Sequence, residues 1–515
     1  MPQCAAMLSG VVEGLTRAST RFGNKPALQT AAGALSYREL AQRAARLASA
    51  LGACGVRPTD RVTLYAPNCA EWAISYYGVQ MAGAVVNPVN PMLTPEEVGF
   101  IARDCGSRVI IGSRDKLLPL LPMRSDSAVP NLICLDADVP EGMYSFDALV
   151  EGGTTDFVPV QTRSEDTSSI CYTSGTTGHP KGAMQSHRSV LMNGESAALM
   201  HGRLASDIVV IALPLPHVYG TLVMNSMVLN GGTLVLHAKF DERTILESIA
   251  SHRATMFEGV PTMYFYLLNF PELDRFDLSS LRLCTVGGQT MPVAKMEAVE
   301  RRFGCPLIEL WGMTELAGLA TTFVHNGPVK HGSIGVPVPY CRAKIVHVDD
   351  CSKELPAGEP GELMISGPLV MQGYCENPQA TKEAIESDGW LHTGDIAQID
   401  AEGFIYIVDR KKDMILTAGF NVYPAELERV IAAHPDVAMV AVGAISDAAK
   451  GELPKAYIVP KNGSTPRAED IIEHCRGHLA PYKIPRAVQF VDDLPKTSSG
   501  KVVRRRLKEL DRLLQ

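Results

Sequence analysis

The chain lacks a basic excess: 48 Lys and Arg stand against 56 Asp and Glu, a formal charge of −8 over 515 residues. A protein built mainly to coat nucleic acid needs the opposite balance to neutralise phosphates, so that class is excluded. Long apolar runs are missing too. The greasiest stretch, Ile208 to Leu236, is broken by Pro214, Pro216, His217, Asn225, Asn230 and Gly231-Gly232, whereas a membrane span needs about 20 uninterrupted apolar residues. The first 30 residues do not follow the basic-then-apolar order of a signal peptide, because Glu13 and Arg17 interrupt them. The closing Arg512-Leu-Leu-Gln515 is not a peroxisomal address. Twelve cysteines, scattered from Cys4 to Cys475, include no CxxC pair and no Cys/His cluster at zinc spacing. That argues against a disulfide scaffold and a structural metal site, while many free thiols suit a reducing compartment. Fixed-period repeats and low-complexity tracts are absent as well. These absences predict a cytoplasmic protein with no nucleic-acid partner and no integral membrane association, and they leave its oligomeric state, monomer or homodimer, open.

What is present is ample material for a core: 46% apolar and 20% charged residues, at a length that allows two to four folding units. Charge is unevenly spread. From Arg410 to Gln515 there are 18 basic and 13 acidic residues, net +5, so Met1 to Asp409 carry −13 of the total. In the acidic body, Ser36-Tyr-Arg-Glu39 reads as a capping box opening a helix through Leu51, with Leu40, Ala44, Leu47 and Leu51 on one face. Arg61 to Ala66 reads as a buried strand, Ala70 to Met81 as a helix and Ala84 to Asn87 as another strand. The same order recurs around Arg108 to Gly112 and from Ile208, which predicts α/β layers with parallel sheets. From Ala343 the texture changes to short strands, Ala343 to Val348, Gly361 to Ser366 and Phe404 to Val408, separated by turn formers, as in a small β-rich subdomain. Asp409-Arg-Lys-Lys-Asp413 is all charged and reads as a solvated loop or a linker between the two unlike blocks.

The most informative segment is Tyr172-Thr-Ser-Gly-Thr-Thr-Gly-His-Pro-Lys-Gly182, which follows the apolar strand candidate Ser169 to Tyr172. Gly175, Gly178 and Gly182 let the backbone turn its N–H groups towards an anion. Thr173, Ser174, Thr176 and Thr177 add hydroxyl donors, and Lys181 adds a point charge. A flexible surface loop would not need this inventory; a polyphosphate would. A Walker loop is excluded, because Lys181 follows Pro180 and precedes Gly182 rather than a Ser or Thr.

Thr173 to Gly182 resemble throughout the hallmark loop of the adenylate-forming enzymes: acyl-CoA synthetases, peptide-synthetase adenylation domains and luciferases. Four further stretches resemble that family's motifs in order. They are Trp311-Gly-Met-Thr-Glu315, Trp390-Leu-His-Thr-Gly-Asp395, Asp409-Arg-Lys-Lys-Asp-Met-Ile415 running into Gly419-Phe-Asn-Val-Tyr-Pro-Ala-Glu426, and Leu494-Pro-Lys-Thr-Ser-Ser-Gly-Lys501. The resemblance implies an N-terminal domain over 1–409, of α/β layered subdomains plus the small β-rich subdomain, and a small mobile α+β C-terminal lid over 410–515.

It also implies the chemistry. A carboxylate attacks the α-phosphate of ATP to give acyl-AMP and pyrophosphate, and a thiol then displaces AMP. Negative charge gathers at phosphorus in the first step, so placed cations and donors supply the acceleration. By resemblance, Lys501 reaches the carboxylate and phosphate oxygens, Glu315 with Thr173 holds Mg²⁺, and Thr314 donates to phosphate. Asp395 accepts the ribose hydroxyls and Arg410 contacts ribose and phosphate. Gly287, Gly288, Trp311 and Gly312 flank the adenine, and Ser174 to Gly178 with Lys181 cradle the phosphates. His217 matches a histidine at the carboxylate entrance, the other reading being a packed core histidine. Lys412 occupies the hinge position, about which the lid alternates between a Lys501 face and a Gly419-Phe420 face that takes the pantetheine arm of coenzyme A.

The wording of the Asp409 and Gly419 stretches is nearest to fatty acyl-CoA synthetases, so CoA is the expected acceptor. The acid pocket is expected from His217, Tyr219, Val260, Gly288 and Met313, with Met227, Met256, Met263 and Met291 as adaptable walls. It contains no cation to meet a second carboxylate, and its paired glycines leave room for an alkyl chain. A medium- or long-chain fatty acid is the favoured substrate, an aryl or alicyclic acid the alternative. A carrier protein or oxygen as acceptor, or a catalytically dead sensor on the same fold, are the competing readings. The presence of Lys181, Glu315, Asp395, Arg410 and Lys501 argues against the sensor.

Overall fold

Ser36 caps the helix Tyr37–Leu51 reciprocally: its hydroxyl accepts from Glu39 N, and the Glu39 carboxylate accepts from Ser36 N at 2.8 Å. This satisfies donors that the first turn leaves orphaned. Leu40, Ala44, Leu47 and Leu51 all lie buried on one face. Ala70–Met81 is helical as its pattern implies, yet Trp72 through Met81 are buried on every side, the mark of a helix inside the domain rather than on it. The computed structural model describes residues 8–126, 131–173, 180–411, 413–417, 420–447, 451–461, 463–496 and 502–511.

Two large sheets organise the N-terminal domain. In one, Arg61–Tyr65, Val85–Pro88, Ser107–Gly112 and Asn131–Cys134 pair in parallel. In the other, Thr233–Leu236, Ile208–Ile211, Met256–Gly259, Leu283–Gly287 and Leu307–Met313 do the same. The second sheet turns antiparallel at its Pro26–Thr30/Gly33–Ser36 edge, and each sheet does so at an edge that carries a motif, where Thr167–Thr173 meets Lys181–Ser186 and Leu307–Met313 meets Gly318–Thr322. Antiparallel neighbours can be joined by short turns, whereas parallel ones need long crossovers. Those two edges therefore place motif residues in the connections between paired strands. The helix His187–Met200 lies between the sheets, touching the first edge on one side and the second on the other.

The third sheet is antiparallel, in the order Asp350–Glu354, Arg342–His347, Gly361–Ser366, Trp390–Ile399, Ile405–Arg410. It is the expected β-rich subdomain, with one correction. Its last strand runs through Asp409 and Arg410, and Asp409 is 1% exposed, so the charged run begins as buried sheet rather than as solvated loop.

The C-terminal domain is smaller and α+β. Strands Ile415–Thr417, Phe420–Val422, Gly451–Pro460, Val437–Asp447 and Ala487–Phe490 form one sheet, packed by helices Pro424–Ala432 and Ala468–Arg476. It has its own core of Val422, Leu427, Ile431, Val442, Ile458, Ile471 and Cys475. Among the described residues the cysteines are free thiols, and no helix is long and apolar enough to cross a membrane.

Candidate active site

The hairpin Thr167–Thr173/Lys181–Ser186 ends with Thr173 opposite Lys181, the Thr173 hydroxyl 3.5 Å from Lys181 O. Ser174, Gly175, Thr176, Thr177 and Gly178 lie outside the described residues, as do Lys412, Gly419 and Lys501. What the hairpin does show is the base of the loop expected to cradle phosphates. The two-residue strand Gly373–Tyr374 pairs with its outer edge, Tyr374 opposite Ala183. The Tyr374 ring lies 5.4 Å from Lys181 Nζ, within cation–π range, and its hydroxyl donates to Glu315 Oε1 at 2.9 Å.

Glu315 lies in the tight turn Thr314–Leu316 between the antiparallel strands. The turn is held from three directions. Gln185 Nε2 donates to Thr314 O at 2.9 Å, Met371 N donates to Glu315 O at 2.8 Å, and Asn193 Nδ2 donates to Leu316 O at 3.0 Å. Gly312 is required just before it, because a Cβ there would stand 1.6 Å from Gly318 O across the pair. Glu315 is 8% exposed. Burial raises its carboxyl above the ordinary range, while the Tyr374 hydroxyl and the charges of Arg410 and Lys181 pull it back.

A second cluster surrounds Asp395. The Trp311 indole N–H donates to its Oδ2 at 2.9 Å, and Arg410, its cross-strand partner, approaches Oδ1 to 3.4 Å. Asp395 N donates to Thr393 Oγ1, and the Thr393 hydroxyl donates to Leu363 O, so the Thr-Gly-Asp turn is pinned to the sheet. Trp311, Asp395 and Arg410 come from three motifs, and the fold brings all three into contact. Gly287 packs so closely on Leu310 that a Cβ would stand 2.5 Å from its Cδ1. Gly288 has φ +85° and lies beside Val260.

His217 is exposed, at the N-cap of helix Val218–Asn230, with Nδ1 accepting from Tyr219 N at 3.2 Å. The core-histidine alternative is therefore set aside. Tyr219 points inwards: its hydroxyl meets Thr285 Oγ1 at 2.8 Å. Thr285 donates to Glu258 Oε2 at 3.0 Å, and Glu258 Oε1 accepts from Arg203 Nη2 at 2.5 Å. Both members of that ion pair have side chains 0% exposed, and Arg203 Nε and Nη1 have no partner. Glu258 and Thr285 stand one pleat along their strands from Val260 and Gly287. Arg203 is thus a buried cation held by Glu258, and it is not one of the residues expected to line the acid pocket. Met313 is half-buried, and Met227, Met256, Met263 and Met291 are all buried.

Sequence reasoning missed Tyr374, Gln185, Asn193, the Arg203–Glu258 pair and Arg504. The last is a hub: its guanidinium reaches Glu428 at 2.6 Å, Asp413 at 3.2 Å and Asp409 at 3.4 Å. Asp409 also accepts from Ala425 N at 2.8 Å and from its neighbour Arg410 N at 2.7 Å. Burial still dominates, holding the Asp409 carboxyl up at about 6.

Residues 15–375 match the family model for AMP-binding enzymes, and residues 426–501 match that for the AMP-binding enzyme C-terminal domain. The chain is 36% identical over 525 residues to a long-chain-fatty-acid–CoA ligase of Bacillus subtilis (strain 168), covering 96% of this chain and 93% of the relative. It is 36% identical over 478 residues to a feruloyl-CoA synthase of Amycolatopsis sp, covering 92% and 93%. Its fold superposes on the crystal structure of ATP-bound MatB from Rhodopseudomonas palustris with a TM-score of 0.89, at 31% identity and covering 98% and 99% of the two chains.

Proposed function

The chain belongs to the AMP-binding enzyme family, and from that premise we propose that it joins a carboxylic acid to coenzyme A in two steps at one site. It is an AMP-forming acid–thiol ligase, an acyl-CoA synthetase of the adenylate-forming superfamily. In the first step a carboxylate oxygen of the acid bonds to the α-phosphorus of ATP and the bond to pyrophosphate breaks. In the second the CoA sulfur bonds to the acyl carbon and AMP leaves.

The observation that carries the site assignment is the meeting of Trp311, Asp395 and Arg410. A buried carboxylate fixed by an indole and a guanidinium offers its oxygens to the ribose diol, with Trp311 and Gly312 beside the base. Lys181 and the hydroxyls of Thr173 to Thr177 take the phosphates, and Thr314 donates to the α-phosphate. Lys501 is the cation that bridges acid and α-phosphate. Lys496, five residues before it, donates to the Tyr266 hydroxyl in the N-terminal domain at 3.3 Å, which supports that role. The lid turns about Lys412 between 1–409 and 410–515, and its other face, Gly419 and Phe420, receives the pantetheine arm. Alternation keeps water from acyl-AMP and lets two reactions share one site.

A hard divalent cation suits the phosphate end. Glu315 is a buried carboxylate fixed by one side-chain hydrogen bond, and such cations take a carboxylate plus phosphate oxygens rather than a full protein cage. Glu315 with Thr173 would hold Mg²⁺, which supplies charge neutralisation of the polyphosphate.

For the acid, the apolar walls and the long-chain-fatty-acid–CoA ligase relatives support a medium- or long-chain fatty acid, with His217 at the entrance. One observation favours a second reading: Tyr219, one of the expected pocket residues, is latched through Thr285 to Glu258 and Arg203 and so would act there as a fixed plug. A compact aryl acid fits above such a plug, and a feruloyl-CoA synthase is among the relatives. The test is a panel of linear C2–C18 and benzoate-type acids with ATP, Mg²⁺ and CoA, following AMP, pyrophosphate and acyl-CoA. Release of AMP with no acid in the panel, or acyl-AMP that CoA fails to discharge, would overturn the assignment. A preference for long acids that survives in the wild type would remove the plug reading.

A further inference from the structure

Three side chains well separated in sequence meet in the small β-rich subdomain. Cys351 is on the exposed strand Asp350–Glu354, Glu386 follows the helix Pro378–Ala384, and His392 lies on the strand Trp390–Ile399. One donor atom from each, a thiol sulfur, a carboxylate oxygen and an imidazole nitrogen, all lie within 4.8 Å of one another. The turn that carries two of them is firmly built: Glu386 N donates to Trp390 O at 2.8 Å, Gly389 N donates to Glu386 O at 2.9 Å, and Ile385 bridges Leu391. It sets His392 Nε2 2.9 Å from Glu386 Oε1.

The other imidazole nitrogen is also engaged. His392 Nδ1 stands 3.4 Å from Oε1 of Glu362, which is 5% exposed. A carboxylate behind the distal nitrogen is the usual partner of a metal-bound histidine, because it fixes the tautomer and orients the ring. Glu362 uses its second oxygen for Lys411 Nζ at 3.0 Å, and Lys411 also donates to Val348 O at 3.0 Å.

We propose that Cys351, Glu386 and His392 bind one divalent cation of the zinc class, with a fourth position left for water. Thiolate and imidazole select zinc, cobalt or nickel over magnesium or calcium. Tetrahedral bonds of about 2.0–2.3 Å place ligand atoms roughly 3.3–3.7 Å apart, so on binding the Cys351 sulfur closes in while the Glu386–His392 pair opens slightly from 2.9 Å. Cys351 and Glu386 are exposed and can supply that movement. Binding displaces the Cys351 thiol proton to solvent, and His392 binds through Nε2 while Nδ1–H donates to Glu362. The ion would tie the hairpin Arg342–Glu354 to the base of Trp390–Ile399. It would also stiffen the His392–Glu362–Lys411 chain, which ends next to the hinge position. None of the three ligands belongs to the nucleotide or acid machinery.

The test uses the full chain stripped of metal, with Co²⁺ and Zn²⁺ alone as probes. One Co²⁺ per chain should bind with a thiolate-to-metal charge-transfer band, and one equivalent of Zn²⁺ should bleach it and raise Tm. Cys351→Ser should abolish the band, and Glu386→Gln should weaken Zn²⁺ binding at least tenfold. Both variants should keep wild-type acid activation in metal-chelated buffer supplied with Mg²⁺ only, which shows that they fold. Absence of the band in the folded wild type overturns the site. So does a band that persists in Cys351→Ser, since it would come from another of the twelve cysteines, or Zn²⁺ affinity indifferent to both substitutions.

Discussion

Tyr374 joins the proposed phosphate loop to the acid that would hold the metal, and Tyr374→Phe separates its two contacts. The ring that Lys181 faces at 5.4 Å is kept, while the hydroxyl that donates to Glu315 Oε1 at 2.9 Å is removed. A hydrogen bond to a charged acceptor contributes about 1.5–3 kcal/mol, or roughly a 10- to 150-fold effect on a binding constant. The loss should fall on the Mg²⁺ dependence of ATP–pyrophosphate exchange, as a rise of that order in the half-saturating Mg²⁺ concentration. The pH dependence has a definite sign. Burial already raises the Glu315 carboxyl, and the Tyr374 bond lowers it. Without the bond the carboxyl rises further and ionises later, so the acid limb of the exchange profile moves to higher pH and the defect is worst at low pH. Tyr374→Leu should add a smaller loss through Lys181, since a cation–π contact contributes about 0.5–2 kcal/mol. Unchanged Mg²⁺ half-saturation together with an unshifted acid limb in Tyr374→Phe would refute the reasoning.

Trp311→Phe deletes the 2.9 Å bond to Asp395; KM for ATP in steady-state kinetics should rise about tenfold, the scale of one charge-assisted bond, with kcat little changed. Glu309 is 3% exposed, its Oε2 has no partner, and burial raises its carboxyl to about 7. The folded state therefore holds a proton that the unfolded chain releases near pH 4.5, and stability falls by about 3 kcal/mol as pH climbs to 7. Urea unfolding of Glu309→Gln should show that slope flattened. Arg504→Met leaves Asp409 and Glu428 without their cation, and breaking a buried pair costs about 3–5 kcal/mol, an upper figure for a guanidinium 23% exposed. Because the Asp409 carboxyl then rises above about 6, the loss should be greater at pH 8 than at pH 5, measured by denaturant melts at both.

Local signals in the chain were readable where the physics is local. The Ser36–Glu39 capping box, the Ala70–Met81 helix and the change to short strands at Ala343 depend on neighbours within a few residues, and all three are present. Trp311, Thr314, Glu315, Asp395 and Arg410 were legible as motif residues, and the fold explains their company: cross-strand pairing sets Asp395 opposite Arg410. Tyr374 carried no such signal. Its strand is two residues long and pairs with Lys181–Ser186 almost two hundred residues earlier. The Arg203–Glu258 pair was hidden for the same reason. Arg203 precedes one strand of a parallel sheet and Glu258 lies on its neighbour, and an arginine before a strand looks like any surface charge until the crossover buries it.

The charge asymmetry needs the same correction. The last 106 residues carry net +5, but several of those cations are already paired within the domain. Lys455 meets Asp511, Lys483 meets Glu426, Arg467 meets Asp470, Arg476 meets Glu473 and Arg506 meets Glu509. Arg504 is surrounded by Asp409, Asp413 and Glu428. A paired cation projects little field beyond about a Debye length, so those paired residues do not act on ATP as free charges. What remains effective is position: Arg410 on Asp395, Lys411 on Glu362, and the lysine motif that Lys496 anchors to Tyr266. Arg504 ties the end of the last N-terminal strand to the first helix of the lid, across the proposed hinge. A lid that turns there must loosen or carry with it that one guanidinium. On the proposed mechanism the basic block would act on catalysis through which carboxylates its arginines hold as the lid turns.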